Sequence, residues 1–355
     1  MSKTVKITAF IISVILTLLS APLVAQQGAA PRELVFLTWS EYMDPELINA
    51  FENKYAAKVR MVYFENDDTR DEMLLLTEAE GYDVILTSGI AIRNYHKRNW
   101  LASITSNQVP NLKYIDQKWL GIFEDAAGFS VPFFWGTTGI AYRKDLVGYE
   151  INSWNQLFEP DEKLHKKILM LSYSSDLIAM ALKSLGYSAN SISPDEHKAA
   201  QKLLQQQKPH VYKYAIPALT EESALYKGEV YAAMIYSGDA LMLKELHPEI
   251  EYVLPKEGGN IWVDYLTVSS KSRNPELAYQ FINFLNEPKN AAQLAEFVYY
   301  ATPNKAAEKL LPDEFLKNPV IYPNAEALKN SETHTYVPFN IQKLRNSIYN
   351  NLVTQ

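Results

Sequence analysis

Apolar and polar positions switch along the chain between a strand-like and a helix-like period. Leu34 to Thr38 is an apolar run of strand length, and Asp44-Pro45-Glu46 behind it has the order of a helix start. The aspartate can cap, and proline tolerates the first turn because its missing N–H has no helical partner there. Lys58 to Phe64 alternates as a strand, Asp68 to Glu80 carries a helical stripe, and Tyr82 to Leu86 is a short buried strand. This β-α-β-α-β order predicts a largely parallel sheet with helices on its faces.

A second α/β region follows Trp135-Gly136-Thr137-Thr138-Gly139. It contains a helix over 176–185 and another opened by Ser193-Pro194-Asp195-Glu196, which has the layout of a capping box. Strands are predicted over 230–236, 251–254 and 262–268. Asn274-Pro275-Glu276 starts a helix reaching about Asn286, and 339–352 forms a closing amphipathic helix. There is no internal repeat, low-complexity tract or long flexible linker. Two lobes joined by strand crossovers near Thr137 and Ile261, with a cleft between them, follow as the expectation.

The first residues have a different character. Lys3 and Lys6 precede an apolar run from Ile7 to Leu19, and a short segment ends at Ala21-Pro22-Leu23-Val24-Ala25. That is the layout of a secretory signal peptide cleaved near Ala25. The run is shorter than the roughly 20 residues a membrane span needs. The rest of the chain is therefore expected to be exported, into the periplasm.

At 355 residues, 47% hydrophobic and 21% charged, the chain has the composition of an ordinary globular protein and the length for two domains. It has no cysteine, which excludes disulfides, thiol catalysis and a lipidated cysteine. Loss of Lys3 and Lys6 with the leader takes the formal net charge from −7 to −9. Such a protein is a poor nucleic-acid binder and a suitable host for cations. There is no Gly-x-Ser-x-Gly elbow, phosphate loop or cofactor fingerprint, and the six histidines have no HExxH spacing. A binding protein without cofactor or metal is expected, not an enzyme.

The most informative chemistry lies in Trp262-Val263-Asp264. Two positions apart on a strand, the indole and the carboxylate project to the same side. An aromatic face covers methylenes and attracts a cation, and a carboxylate pairs with an ammonium. Trp39-Ser40-Glu41-Tyr42 repeats the combination just past the first predicted strand, and Ser88 lies just past the third. Ligands of parallel sheets sit outside the carboxyl ends of the strands. These residues together suggest a cleft for an organic amine.

Five segments in register resemble periplasmic polyamine-binding proteins, the spermidine/putrescine receptors of ATP-driven transporters. They are FLTWSEY (36–42), SVPFFWGTT (130–138), ALKSLGYS (181–188), PKEGGNIWVD (255–264) and YATPN (300–304). The resemblance implies an α/β, two-lobed type II periplasmic binding protein fold with a central ligand cleft. It divides the chain into a first lobe of 33–137 plus 262–305 and a second of 138–261 plus 306–355. It implies that Trp39, Glu41 and Tyr42 line the cleft, and that Trp262 and Asp264 are the aromatic platform and main anionic anchor. Tyr236, Asp239, Tyr300 and Asp176 match further cleft positions, although Asp176 and Asp239 also stand where helix caps stand.

The departures from the pattern are Gly89-Ile90-Ala91 in place of an aromatic, Tyr173 in place of an aspartate, and His334 in place of a glutamine. The implied partners are a polyamine and either an inner-membrane permease or a membrane-bound signalling receptor. From another class, Tyr299-Tyr300 leaves a ferric-ion carrier as an alternative, since paired phenolates can hold that ion.

Overall fold

The structure, a computed structural model, describes residues 32–123 and 126–354. The leader expected over residues 1–25 lies outside the described residues. Strand β1 (Arg32–Thr38) leads into helix α1 (Pro45–Tyr55), which Asp44 caps by accepting from the Glu46 N–H at 2.8 Å. Strand β2 (Ala57–Tyr63), helix α2 (Asp67–Thr77), strand β3 (Val84–Ser88) and helix α3 (Gly89–Lys97) follow. β1 pairs in parallel with both β2 and β3, as the β-α-β-α-β pattern predicts. Asn66 caps α2, so the helix starts one residue earlier than its apolar stripe suggests.

Strand β4 (Ser130–Arg143) runs for 14 residues, every one of them buried. The polarity pattern gives no hint of it, because Pro132, Gly136 and Gly139 read as strand breakers. Pro132 sits at a register irregularity, where the ladder does not need its missing N–H. Gly136 is required by its neighbour, since a Cβ there would stand 2.5 Å from the Trp262 ring.

Later elements include β5 (Ile168–Met170), α4 (Ser174–Ser184), α5 (Pro194–Gln207), β6 (Val211–Tyr214), β7 (Ala232–Tyr236) and α6 (Ser237–Leu246). They are followed by β8 (Ile250–Val253), β9 (Ile261–Val268), α7 (Pro275–Leu285), α8 (Pro288–Val298) and α9 (Phe339–Thr354). Ser193 accepts from the Glu196 N–H at the start of α5, but the Glu196 carboxylate goes to Ser191, so only half of the capping box forms.

The strand order is β2-β1-β3-β9-β4-β7-β5-β6, with β8 also on β4. β4 pairs with β9 from Ser130 to Thr137 and with β7 from Thr138 to Tyr142. It thereby carries the chain from one packing centre to another. The first core gathers β1, β3, β9, the first half of β4 and helices α1, α7 and α8 around Phe36, Phe51 and Phe281. The second packs α4, α5 and the end of α9 on one face of β5 and β7, around the fully buried Trp154. α6 covers the other face of that sheet through Leu243, Ala233 and Ile235. Burying one such large side chain contributes about 1.5–3 kcal/mol. Ala307, Leu311, Phe315 and Ile321 pack in the first core. The expectation that 306–355 belongs wholly with the second lobe therefore does not follow the packing.

Candidate functional site

Between the two cores lies a cavity of about 910 Å³, and every residue expected from the sequence to contact an amine lines it: Trp39, Ser40, Glu41, Tyr42, Ser88, Asp176, Tyr236, Asp239, Trp262, Asp264, Tyr300 and His334. Its size is that of a pocket for a small organic ligand. The first wall is built from strand ends. β1 delivers Trp39 to Tyr42, a loop held by Asp44, whose second carboxylate oxygen accepts from Gln293 Nε2 at 2.8 Å. Glu41 occupies the left-handed region with φ 57° and stays exposed at the mouth. β3 delivers Ser88, which donates to Asp67 at 3.1 Å.

β9 places Trp262 and Asp264 on the same side, as alternation requires. The Tyr42 hydroxyl donates to Asp264 at 2.7 Å. The Tyr300 ring meets the indole of Trp262 edge-on, with centroids 4.7 Å apart, and its hydroxyl donates to Asp239 at 2.5 Å. Gly238 permits this approach, because a Cβ there would stand 2.5 Å from the Tyr300 ring. Burial pushes the Asp264 carboxyl up to about 7 and the Asp239 carboxyl up to about 6, against the opposing pull of the tyrosine hydroxyls.

Asp176 is treated differently. Its oxygens accept from Tyr236 at 2.7 Å, from Asn260 at 3.1 Å and from His334 Nε2 at 2.8 Å. Burial works against its ionised form, but His334, Tyr236 and Asn260 outweigh it and hold the carboxyl below its ordinary range. Neither Asp176 nor Asp239 caps its helix: Tyr173 and Tyr236 occupy those N-cap positions, with no side-chain cap bond.

His334 is presented by a strap across the second wall. Glu332 anchors the strap, accepting from Lys183 at 2.9 Å and from the Ala189 N–H at 3.1 Å. Its backbone pairs with Gly259 and Ile261.

The cavity also holds residues that the sequence reading did not place there, notably Phe64, Glu65, Asp67 and Asn260. The first three lie just past the carboxyl end of β2, so the strand-end rule that found Trp39 and Ser88 could have found them. Tyr173 lines the cavity as well, its ring 6.3 Å from Trp39 and 6.1 Å from Tyr236. Tyr299, by contrast, does not line it, so the two adjacent tyrosines do not converge on one point.

Six carboxylates line the cavity (Glu41, Glu65, Asp67, Asp176, Asp239 and Asp264), along with nine aromatic side chains. No lysine or arginine is among the described lining residues. Among the described residues there is also no cluster of three or more metal-ligating side chains.

Residues 46–324 match the bacterial extracellular solute-binding protein family. The chain belongs to that family. The spermidine/putrescine-binding periplasmic protein of Escherichia coli is 33% identical over 301 residues, covering 84% of this chain and 85% of its own. The putrescine-binding periplasmic protein SpuD of Pseudomonas aeruginosa is 27% identical over 336 residues, covering 89% of this chain and 90% of its own. A solved structure from Listeria monocytogenes, assigned to a spermidine/putrescine ABC transporter, is 31% identical. It superposes with a TM-score of 0.83 over 91% of this chain and 99% of its own. The α/β solute-binding architecture expected from the sequence is thus the one this chain has.

Proposed function

We propose that this solute-binding protein captures a polyamine, spermidine-like or putrescine-like, and presents it to an inner-membrane ABC permease for uptake. The observation that carries the reading is the lining of the cavity: six carboxylates, nine aromatic rings and no lysine or arginine among the described residues. Such a lining repels anions and gives a neutral solute no use for the charge. A protonated amine on a hydrocarbon stem satisfies both parts of it.

The methylenes lie against Trp262, Tyr300 and Trp39, and the ammonium groups pair with Asp264 and Asp239 in the depth of the cavity. Glu41 contributes at the mouth. Aromatic faces attract cations, and the attraction grows where water is excluded. Contacts from both walls favour the closed arrangement of the lobes, since a ligand shifts such an equilibrium by its differential affinity. The names of the relatives support both the amine and the transporter. They also support an exported, periplasmic protein, and the layout of the first residues supports removal of the leader near Ala25.

Isothermal titration calorimetry on protein lacking residues 1–25 tests the proposal, with putrescine and spermidine as ligands and neutral and acidic amino acids as controls. Saturable heat with the amines alone is expected. Binding of an amino acid with no response to either amine overturns it.

A further inference from the structure

The six acids of the cavity do not carry equal free charge. Glu41 and Glu65 are exposed at the mouth, where water and salt screen them. Asp67 is paired internally, accepting from Arg70 Nη1 at 2.7 Å and from Ser88 at 3.1 Å. Asp239 and Asp264 each have a single tyrosine hydroxyl and no ion pair among the described residues. Asp176 has three donors on its two oxygens, one of them the imidazole of His334.

We propose that His334 acts as a built-in hydrogen-bond donor that occupies Asp176 in place of a ligand ammonium. This leaves two unmatched carboxylates in the depth of the cavity and makes it select diamines over triamines. The inference rests on the polyamine reading and adds to it the number of ligand charges that the protein matches. A diamine brings two ammonium groups to Asp239 and Asp264. The third ammonium of a triamine reaches either the screened acids of the mouth or Asp176, three of whose four acceptor sites already hold donors. Entering at Asp176 means displacing the imidazole, which the Glu332 strap holds from behind. An ammonium desolvated without a free partner is disfavoured, so the extra charge works against the longer ligand.

The test is calorimetry with putrescine and spermidine on wild type, His334→Leu and His334→Ala. Circular dichroism checks the fold of each, and the alanine variant serves if the leucine variant does not fold. Wild type is expected to bind putrescine the more tightly. His334→Leu uncovers Asp176 and should raise the spermidine-to-putrescine affinity ratio about tenfold, the worth of one well-placed buried charge contact. Adding Asp176→Asn to His334→Leu should cancel that gain, a coupling that a merely structural role for His334 does not produce. An unchanged ratio in the His334 variants, or a gain that survives Asp176→Asn, overturns the inference while leaving polyamine binding in place. Wild-type protein that binds neither amine overturns the polyamine reading and this inference together.

Discussion

The Tyr173 hydroxyl donates a 2.9 Å hydrogen bond to the backbone carbonyl of Glu65. Glu65 follows β2 and the buried Phe64 of the first core, while Tyr173 stands at the start of α4 in the second. The bond therefore crosses the cavity from wall to wall. The edge contact between Tyr173 and Trp39, at 6.3 Å, crosses it too. Both contacts favour the closed arrangement before an amine arrives.

Tyr173→Phe keeps the ring and removes the bond. A hydrogen bond of this kind contributes about 0.5–1.5 kcal/mol. Amine affinity should fall by roughly 2- to 12-fold, in proportion to that energy. Small-angle scattering should show a larger radius of gyration for the unliganded variant, with the liganded forms alike. Equal radii and equal affinities would remove Tyr173 from any closing role.

Asp264→Asn should weaken amine binding strongly, by about 3–5 kcal/mol, because an ammonium would then be buried without its anion. Calorimetry reads this directly, and near-normal affinity rejects the anchoring role. Asp264 shows how much the chain discloses before it is folded. Its relation to Trp262 follows from strand periodicity alone, and the structure keeps it. Its bond to Tyr42 spans 222 positions and no local pattern announces it. The same holds for β4, whose Pro132 and Gly136 look like interruptions until a register irregularity and the Trp262 ring account for them. Asp176 and Asp239 look like helix caps until tertiary partners claim their oxygens. What periodicity and cap chemistry decide was legible; what distant residues impose on each other was not.

The two raised carboxyls give binding a pH dependence with a definite sign. A cation pairs with the ionised acids, so it competes with protons on Asp264, near 7, and on Asp239, near 6. Affinity should rise with pH, most steeply below about pH 6, where about two protons leave per ligand bound, and level off above about pH 7.5. Asp264→Asn should reduce that slope by about one. In the unliganded protein the sign is opposite. Both acids have folded values above an unfolded value of about 3.9, so the native state holds more protons between there and about 7. Their contribution to stability therefore declines as pH rises through that window. Unliganded Asp264→Asn should exceed wild type in stability by on the order of 2 kcal/mol at pH 8, since cavity water screens part of the shift, and by almost nothing near pH 4. Chemical denaturation at both pH values checks this.

Gly136→Ala tests the seat of Trp262. The new methyl would meet the indole at 2.5 Å and Ser237 Oγ at 2.9 Å. β4 cannot retreat, because β9 pairs with it on both sides of Gly136 and Trp135 bridges Ala301, so the indole must move into the cavity. Overpacking of this kind costs about 1–3 kcal/mol of stability. Amine affinity should drop about tenfold or more, since the displaced ring occupies the space of the ligand's methylenes. A variant with wild-type affinity and an unshifted tryptophan emission spectrum would show that the indole does not depend on this glycine.

The closing helix is secured by a pairing that tolerates only one protonation state. Arg345, on α9, donates from Nε to His197 Nε2 at 3.0 Å and from Nη2 to the Ala189 carbonyl at 2.8 Å. His197 Nδ1 lies 2.8 Å from the Ser193 carbonyl. Nδ1 must therefore carry the hydrogen and Nε2 must be bare, so a second proton would be placed against the guanidinium. Burial already pushes the imidazole down from its ordinary value, and Arg345 adds to the shift. For a histidine lowered in the folded state, the unfolded chain binds more protons below about pH 6.5, so stability falls as pH drops through that value. Hydrogen-exchange protection factors across 339–354, taken relative to the intrinsic rate at each pH, should fall from pH 7 to pH 5 more than those across α1 do. Arg345→Ala should remove this difference and cost roughly 3 kcal/mol, through lost packing and an orphaned His197 acceptor. An equal fall in protection across both helices would show that the Arg345–His197 contact does not govern how the C-terminal helix is held.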